Sequence, residues 1–364
     1  MYSFLPSEEQ QMLQEVAHKY ALSDVRPAAH EAEETRSLPD ALIQKGWALG
    51  LTQAAIPEGF GGLGERSAVT SALALEELAY GDLAVALAIA VPGLFALPIT
   101  AMGSAEQKEK YLPKIAEGNW TPYTAALIER GFDFDPADLA STALEESGHF
   151  VISGEKRWVP FADKAQAMIV YASLDGETQG FIVEGGSEGV TVGKREDLMG
   201  VNALPLYSVH LDRVRVPVAN RLGGADGHKF EPLLTAMRIA NSSMALGLAR
   251  ASLDYSIEYA KDREVLGSKV AQKQSIAFML AEMATEIAAI RLLTWEAAWQ
   301  LDSGLDDAAH TAYLAASGAA DMAMMVTDRG VQILGGHGYI REHPVELWMR
   351  NGRGFATFTG LSIV

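Results

Sequence analysis

The sequence predicts a mainly α-helical protein with a central β domain. Helical periodicity fills both flanks of the 364-residue chain, and short β-branched and aromatic runs separated by turn residues fill its middle. The pattern changes near residues 119 and 228, which predicts three units: 1–119 α-helical, 120–228 β, and 229–364 an α-helical bundle. A chain of this length can bury a large core.

Each element has its own signal. Pro6-Ser7 followed by Glu8 and Glu9 reads as a helix N-terminus with acids in the first turn. Val69, Leu73, Leu75, Leu78 and Ala79 recur at helical spacing before a Gly81-Asp82 turn. The most apolar stretch, "LAVALAIAVPGLFALPI" (83–99), is broken by Pro92, Gly93 and Pro98, so it reads as a buried core helix and its exit. In the middle zone, "AMIVYAS" and "GFIVEGG" flank Asp175-Gly176, the signature of a hairpin. In the last zone, Phe278, Leu280, Met283, Ile287, Ile290, Leu293 and Trp295 form one wide apolar stripe. Such a stripe buries inside the chain or against another chain.

Composition excludes several function classes. The formal net charge of −18 and the absence of long cationic runs argue against a nucleic-acid or anionic-membrane surface. Cysteine is absent, which removes disulfides, thiolate metal sites and thiol nucleophiles. The start lacks the order of a signal or transit peptide, and the expected location is cytoplasmic.

Two stretches carry the chemistry. "YAKDREVLGSKVAQKQ" (259–274) places a cation, Arg263, before a Gly267-Ser268 turn and an amide, Gln274. That set can grip a phosphate and hydrogen-bond a ribose or base, or Arg263 can serve a surface salt bridge. "QILGGHGYIREHPVELWMR" (332–350) is sharper, because Gly335, Gly336 and Gly338 remove side chains where a backbone or ligand must come close. Gln332 adds a donor and an acceptor. A helix C-cap explains one of these glycines but not three.

With "PEGFGGLG" (57–64), "SGEKRWVPFADKAQAMIV" (153–170) and "VRVPVANRLGG" (214–224), these stretches make the chain resemble the acyl-CoA dehydrogenase family over nearly its whole length. The resemblance implies an N-terminal α domain, a middle β-barrel-like domain and a C-terminal four-helix bundle, assembled as a tetramer with FAD between subunits. It implies that Arg263, Gln274, Gln332, Gly335 and Gly336 hold the adenine and pyrophosphate part of a flavin seated in the neighbouring subunit, with Trp158 on this subunit's own flavin side. It also implies a reaction in which a base takes the α-proton of an acyl thioester while the β-hydrogen leaves as hydride to the flavin.

The family's usual base is a Glu in a closing Glu-Gly-Thr motif. With Arg350 as anchor, "RNGRGFATFTGL" puts Thr359 at that position, Gly360 on the Gly and Leu361 on the Thr. Some members carry the Glu just before the residue matching Arg238, and that place is Met237. Both usual base positions therefore hold residues that cannot take the proton, although the Thr359 N–H can still polarise a thioester carbonyl. Arg238 matches a position near the thioester and is a possible substrate contact. In the segment resembling the flavin-ring side, Ile128 and Phe134 replace a Thr and a Ser, and Pro160 replaces a Thr after the matching Trp158. Three polar contacts are lost, each worth about 1 kcal/mol or more when buried.

These departures predict the base-lacking subunit of a heteromeric acyl-CoA dehydrogenase that completes the partner's FAD site, in fatty-acid or steroid side-chain catabolism. The expected partners are an acyl-CoA, a homologous subunit (in a heterotetramer, or copies of itself in a homotetramer) and an electron-transfer flavoprotein, with no metal. Two alternatives stay open. One is a stand-alone dehydrogenase whose base is displaced to Glu129, Asp133, Asp135 or Glu231; the other is a flavin oxidase, monooxygenase or non-catalytic binding protein on the same fold.

Overall fold

A computed structural model describes residues 5–64, 66–131, 133–354 and 359–364. Phe132 of the "FDFDP" stretch and residues 355–358 of the closing segment lie outside the described residues.

The chain begins where its sequence signals a helix. Ser7 caps α1 (Glu8–Tyr20) in a capping box with Gln10. A π turn, Ala21–Val25, leads into α2 (Arg26–Thr35), which ends on left-handed Arg36. After α3 (Asp40–Trp47) and α4 (Leu51–Ala54) comes α5 (Ala68–Gly81), whose first amides, at Ala68 and Val69, donate to the distant Asp302 carboxylate at 2.7 and 3.1 Å. The apolar stretch 83–99 forms two helices, α6 (Leu83–Ala90) and α7 (Gly93–Met102), bent by 45° across the Val91-Pro92 break. Both are almost fully buried, and Pro98 lies inside α7 rather than ending it. No single helix among the described residues is long and apolar enough to cross a membrane. α8 (Ala105–Ala116) closes this part with a Ser104–Gln107 capping box.

The middle is one curled seven-stranded sheet in the order β1-β4-β2-β3-β7-β6, with β5 paired to β4. Its strands are β1 (Tyr123–Ala126), β2 (Thr142–Glu146), β3 (His149–Pro160), β4 (Ala167–Leu174), β5 (Glu177–Glu184), β6 (Val190–Arg195) and β7 (Leu206–Pro217). β4 and β5 pair across Asp175 and Gly176, both at positive φ (54° and 85°), the two-residue turn that matches strand twist. Phe150, Ile152, Val170, Phe181, Val209 and Leu211 build this sheet's own core, separate from the larger helical one.

The remainder is helical: α9 (Glu231–Asp262), a small hairpin of β8 (Glu264–Val265) and β9 (Ser268–Lys269), α10 (Gln274–Asp302), α11 (Ala308–Leu334) and α12 (Val345–Arg353). α9 is the central helix, packed by α5, α10 and α11. A Cβ at Gly247 would lie 2.1 Å from the Glu76 carbonyl, so glycine sets the close approach of α9 to α5. Nearby, buried Glu76 accepts from Arg250 and Arg291, each at 2.8 Å, which locks α5, α9 and α10 by charge. The apolar stripe of α10 divides: Met283, Ile287 and Ile290 are buried, whereas Phe278 is 58% exposed; beside the stripe, Leu292 and Trp299 also face outward. The chain itself covers only part of that stripe.

Candidate functional site

One cluster of residues lies on the outside, where α9 ends. Arg263 is the C-cap of α9, and its N–H donates to the Tyr259 carbonyl at 2.8 Å. The β8–β9 hairpin follows, turning at Leu266 and Gly267 (φ 53° and 75°), and Gln274 opens α10. The second motif stretch is tied to the same helix end, because the Tyr259 hydroxyl lies 2.8 Å from His337 Nδ1. His337 stacks on His343 at 5.4 Å, and His343 Nδ1 lies 2.7 Å from the Tyr255 hydroxyl. His337 thus pins the turn to α9.

The glycines of that turn have two different jobs. A Cβ on Gly338 would stand 2.3 Å from the Val331 carbonyl, so Gly338 is required by packing on α11. Gly335 (φ 59°) and Gly336 meet nothing within 4 Å. Their open side faces away from the chain, as do exposed Gln332, Gln274 and Arg263. Exposed apolar residues border the same end, with Leu266 at 93% and Tyr339 at 84%. The donor set and bare backbone suit an anionic, partly aromatic ligand that lies outside this subunit.

A second cluster lies at the end of β1. Trp158 has φ 52° and sits at the β3 register shift between Lys156 and Val159. Ile128 and Pro160 are buried and offer no side-chain donor, and Phe134 is partly buried against the core. Beneath them Lys156, 0% exposed, donates to Glu129 Oε1 at 2.6 Å and to the Leu127 carbonyl at 3.3 Å. Glu129 also accepts from the Ala140 and Ser141 amides at 2.6 and 2.9 Å. Burial pushes the Glu129 carboxyl up, but Lys156 and these donors outweigh it and hold it below the usual carboxylate range. Burial pulls the Lys156 ammonium down to about 8 against the pull of Glu129. Sequence reasoning offered Glu129 as a free carboxylate and missed its lysine, although Lys156 falls on the same strand phase as core residues Phe150 and Ile152.

The third cluster joins α9 to the closing segment. Met237 is fully buried, and Arg238 is half-buried with its guanidinium 5.1 Å from the Tyr313 ring centroid. Burial lowers the Arg238 pKa, opposed by Tyr313, Asp135 and Glu231. Asp133, Asp135 and Glu231 are all exposed. Thr359 is half-buried, and the next residue, Gly360, passes the Leu127 side chain. The anchor Arg350 bonds Glu346 at 2.8 Å, Glu33 at 2.7 Å and the Met199 carbonyl at 2.9 Å, fixing α12 to both other parts of the molecule. Gly360 against Leu127 and the Val364 N–H on the Ala236 carbonyl join the closing segment to the second cluster and to α9, so these two clusters form one inner side, whereas Arg263, Gln274, Gln332, Gly335 and Gly336 lie on an outer one.

Comparison with known proteins agrees along the whole length. Models of the acyl-CoA dehydrogenase N-terminal, middle and C-terminal domains match residues 7–119, 124–214 and 230–364. The chain is 32% identical to a 3-(aryl)acrylate reductase of Clostridium sporogenes, with 98% of this chain and 96% of the relative covered. It is 34% identical to an acyl-CoA dehydrogenase of Bacillus subtilis, with 95% and 93% covered. The solved butyryl-CoA dehydrogenase of Megasphaera elsdenii superposes with a TM-score of 0.88 at 32% identity, covering 100% of this chain and 96% of that one.

Proposed function

The chain belongs to the acyl-CoA dehydrogenase family, and from that premise we propose that it serves FAD-dependent α,β-dehydrogenation of an acyl-CoA thioester as the base-lacking subunit of a heteromeric enzyme. The observation that carries the reading is the contrast between its two half-sites. The outer one has exposed Arg263, Gln274 and Gln332 around the bare backbone of Gly335 and Gly336. These residues fit the adenine and pyrophosphate of an FAD seated in a neighbour, where the cofactor would supply the hydride acceptor. The inner one presents Ile128, Phe134 and Pro160 where ring contacts belong, and these do not fit.

At the inner site neither of the two usual base positions holds a carboxylate. Thr359 and Met237 occupy the two positions, Glu129 is engaged by Lys156 and two amides, and the other nearby carboxylates are exposed. This argues against Glu129 as the displaced base, because an ionised carboxylate holding three donors is a poor proton acceptor. The enzyme's substrate is then a fatty-acid or steroid side-chain thioester and its electron acceptor an electron-transfer flavoprotein.

The test is a substitution at the outer site. Arg263→Ala should cut FAD in the co-expressed complex at least ten-fold while leaving the subunits assembled. Retention of full FAD by that complex would refute the assignment.

A further inference from the structure

The glycine turn after α11 carries one side chain between its two bare positions and its packed one, that of His337. A Cβ on Gly335 or Gly336 would meet nothing within 4 Å, so no close neighbour fixes where their backbone points. His337 does so through two contacts at once. The Tyr259 hydroxyl lies 2.8 Å from its Nδ1 and 3.5 Å from the carbonyl of Leu334, the last residue of α11. The His337 ring also stacks on His343 at an interplanar angle of 13°. A side chain with two torsions, bonded at one atom and stacked on one face, keeps a single rotamer.

The stack is itself anchored. Tyr255 and Tyr259 stand one helical turn apart on α9 and share a face. The Tyr255 hydroxyl lies 2.7 Å from His343 Nδ1, and the Tyr255 ring meets the buried Trp348 of α12 edge-on, with centroids 5.8 Å apart. Two Tyr–His pairs thus tie the turn to α9 and α12. Tyr259 also holds the other part of the outer half-site, because its carbonyl accepts the Arg263 N–H at 2.8 Å. One residue therefore fixes the start of Arg263 with its backbone and the glycine turn with its side chain. An unbraced glycine turn would lose more conformational freedom on meeting a ligand, and binding would weaken by that cost.

We propose that Tyr259 and His337 are positioning residues for the cofactor of the neighbouring subunit. Their contact holds the Gly335–Gly336 backbone at the spacing from Arg263 that an adenine and pyrophosphate group needs, and His343 with Tyr255 braces it. The inference rests on the FAD assignment of the outer half-site. Both residues act through the turn and not on the reacting atoms.

Tyr259→Phe removes one hydroxyl and keeps the ring. In the assembled enzyme it should speed FAD loss on dilution about five-fold, the scale of one hydrogen bond, read from the fluorescence of released flavin. In the chain alone it should speed hydrogen exchange at residues 335–339 and leave the melting temperature unchanged. His337→Ala should do the same, and His337→Asn, whose amide reaches the place of Nδ1, should restore retention. Should Tyr259→Phe not fold, the His337 pair decides by the same readings. Unchanged FAD loss overturns the proposal, as does a failed rescue by Asn or a fall in melting temperature that tracks the flavin loss, which marks the stack as ordinary packing. Arg263→Ala in the same assay separates the two possible failures. FAD lost there but kept in Tyr259→Phe refutes the brace alone, whereas FAD kept in Arg263→Ala refutes the half-site and the brace with it.

Discussion

Single residues decide what chemistry the inner site can do. Glu129→Gln leaves the fully buried Lys156 without its counter-charge and should destabilise the fold by about 3–5 kcal/mol, read from denaturant midpoints. A base role for Glu129 instead predicts lost turnover with unchanged stability. Two other buried groups set the pH response in opposite senses. Burial raises Asp82, the N-cap of α6, to about 6, so its share of stability is complete below pH 4 and is lost as pH rises through 6. Asp82→Asn keeps the cap oxygen and should add about 3 kcal/mol at pH 7, with no gain at pH 4. Burial lowers His228 to about 4, so its share is complete above pH 6.5 and is lost as pH falls through 4. His228→Phe should flatten the acid limb of a stability–pH curve; an unchanged limb would show that His228 is solvated. The cap at Ser7 and the Asp175-Gly176 turn were legible in sequence because each acts over a few residues. The Glu129–Lys156 pair was not, since only the sheet brings β3 beneath the end of β1.

At the scale of elements, the glycine turn after α11 separates packing from ligand. Gly338→Ala should cost about 1–3 kcal/mol through its clash with the Val331 carbonyl. Gly336→Ala meets open space, so the melting temperature should hold while FAD retention by the assembled enzyme falls. Equal loss of stability in both variants would make the turn purely structural. Sequence placed all three glycines in one motif, but their division depends on which way each Cα faces. The helices were legible from periodicity, whereas the coverage of α10 was not. Periodicity marks Phe278 and Met283 alike as apolar, and tertiary packing alone leaves one outside. Phe278→Glu should therefore leave the chain folded by circular dichroism and reduce the assembly to smaller species by light scattering.

Across the whole molecule, helical, sheet and helical parts are welded by a few long-range locks: Glu76 with Arg250 and Arg291, Asp302 on the amides of α5, and Arg350 with Glu33 and Met199. The order of parts was legible because each has its own residue period, and the resemblance supplied the cofactor. The inward path of residues 361–364 was not legible, because four small or apolar residues carry no directional signal. The central claim is that this fold donates one half of a flavin site and lacks the other. The most direct measurement is flavin absorbance and acyl-CoA oxidation by the chain purified alone and after co-expression with a homologous subunit. The account predicts no flavin and no turnover alone, and one FAD per pair of unlike chains in the active complex. Stoichiometric FAD with acyl-CoA oxidation by the chain alone would contradict it.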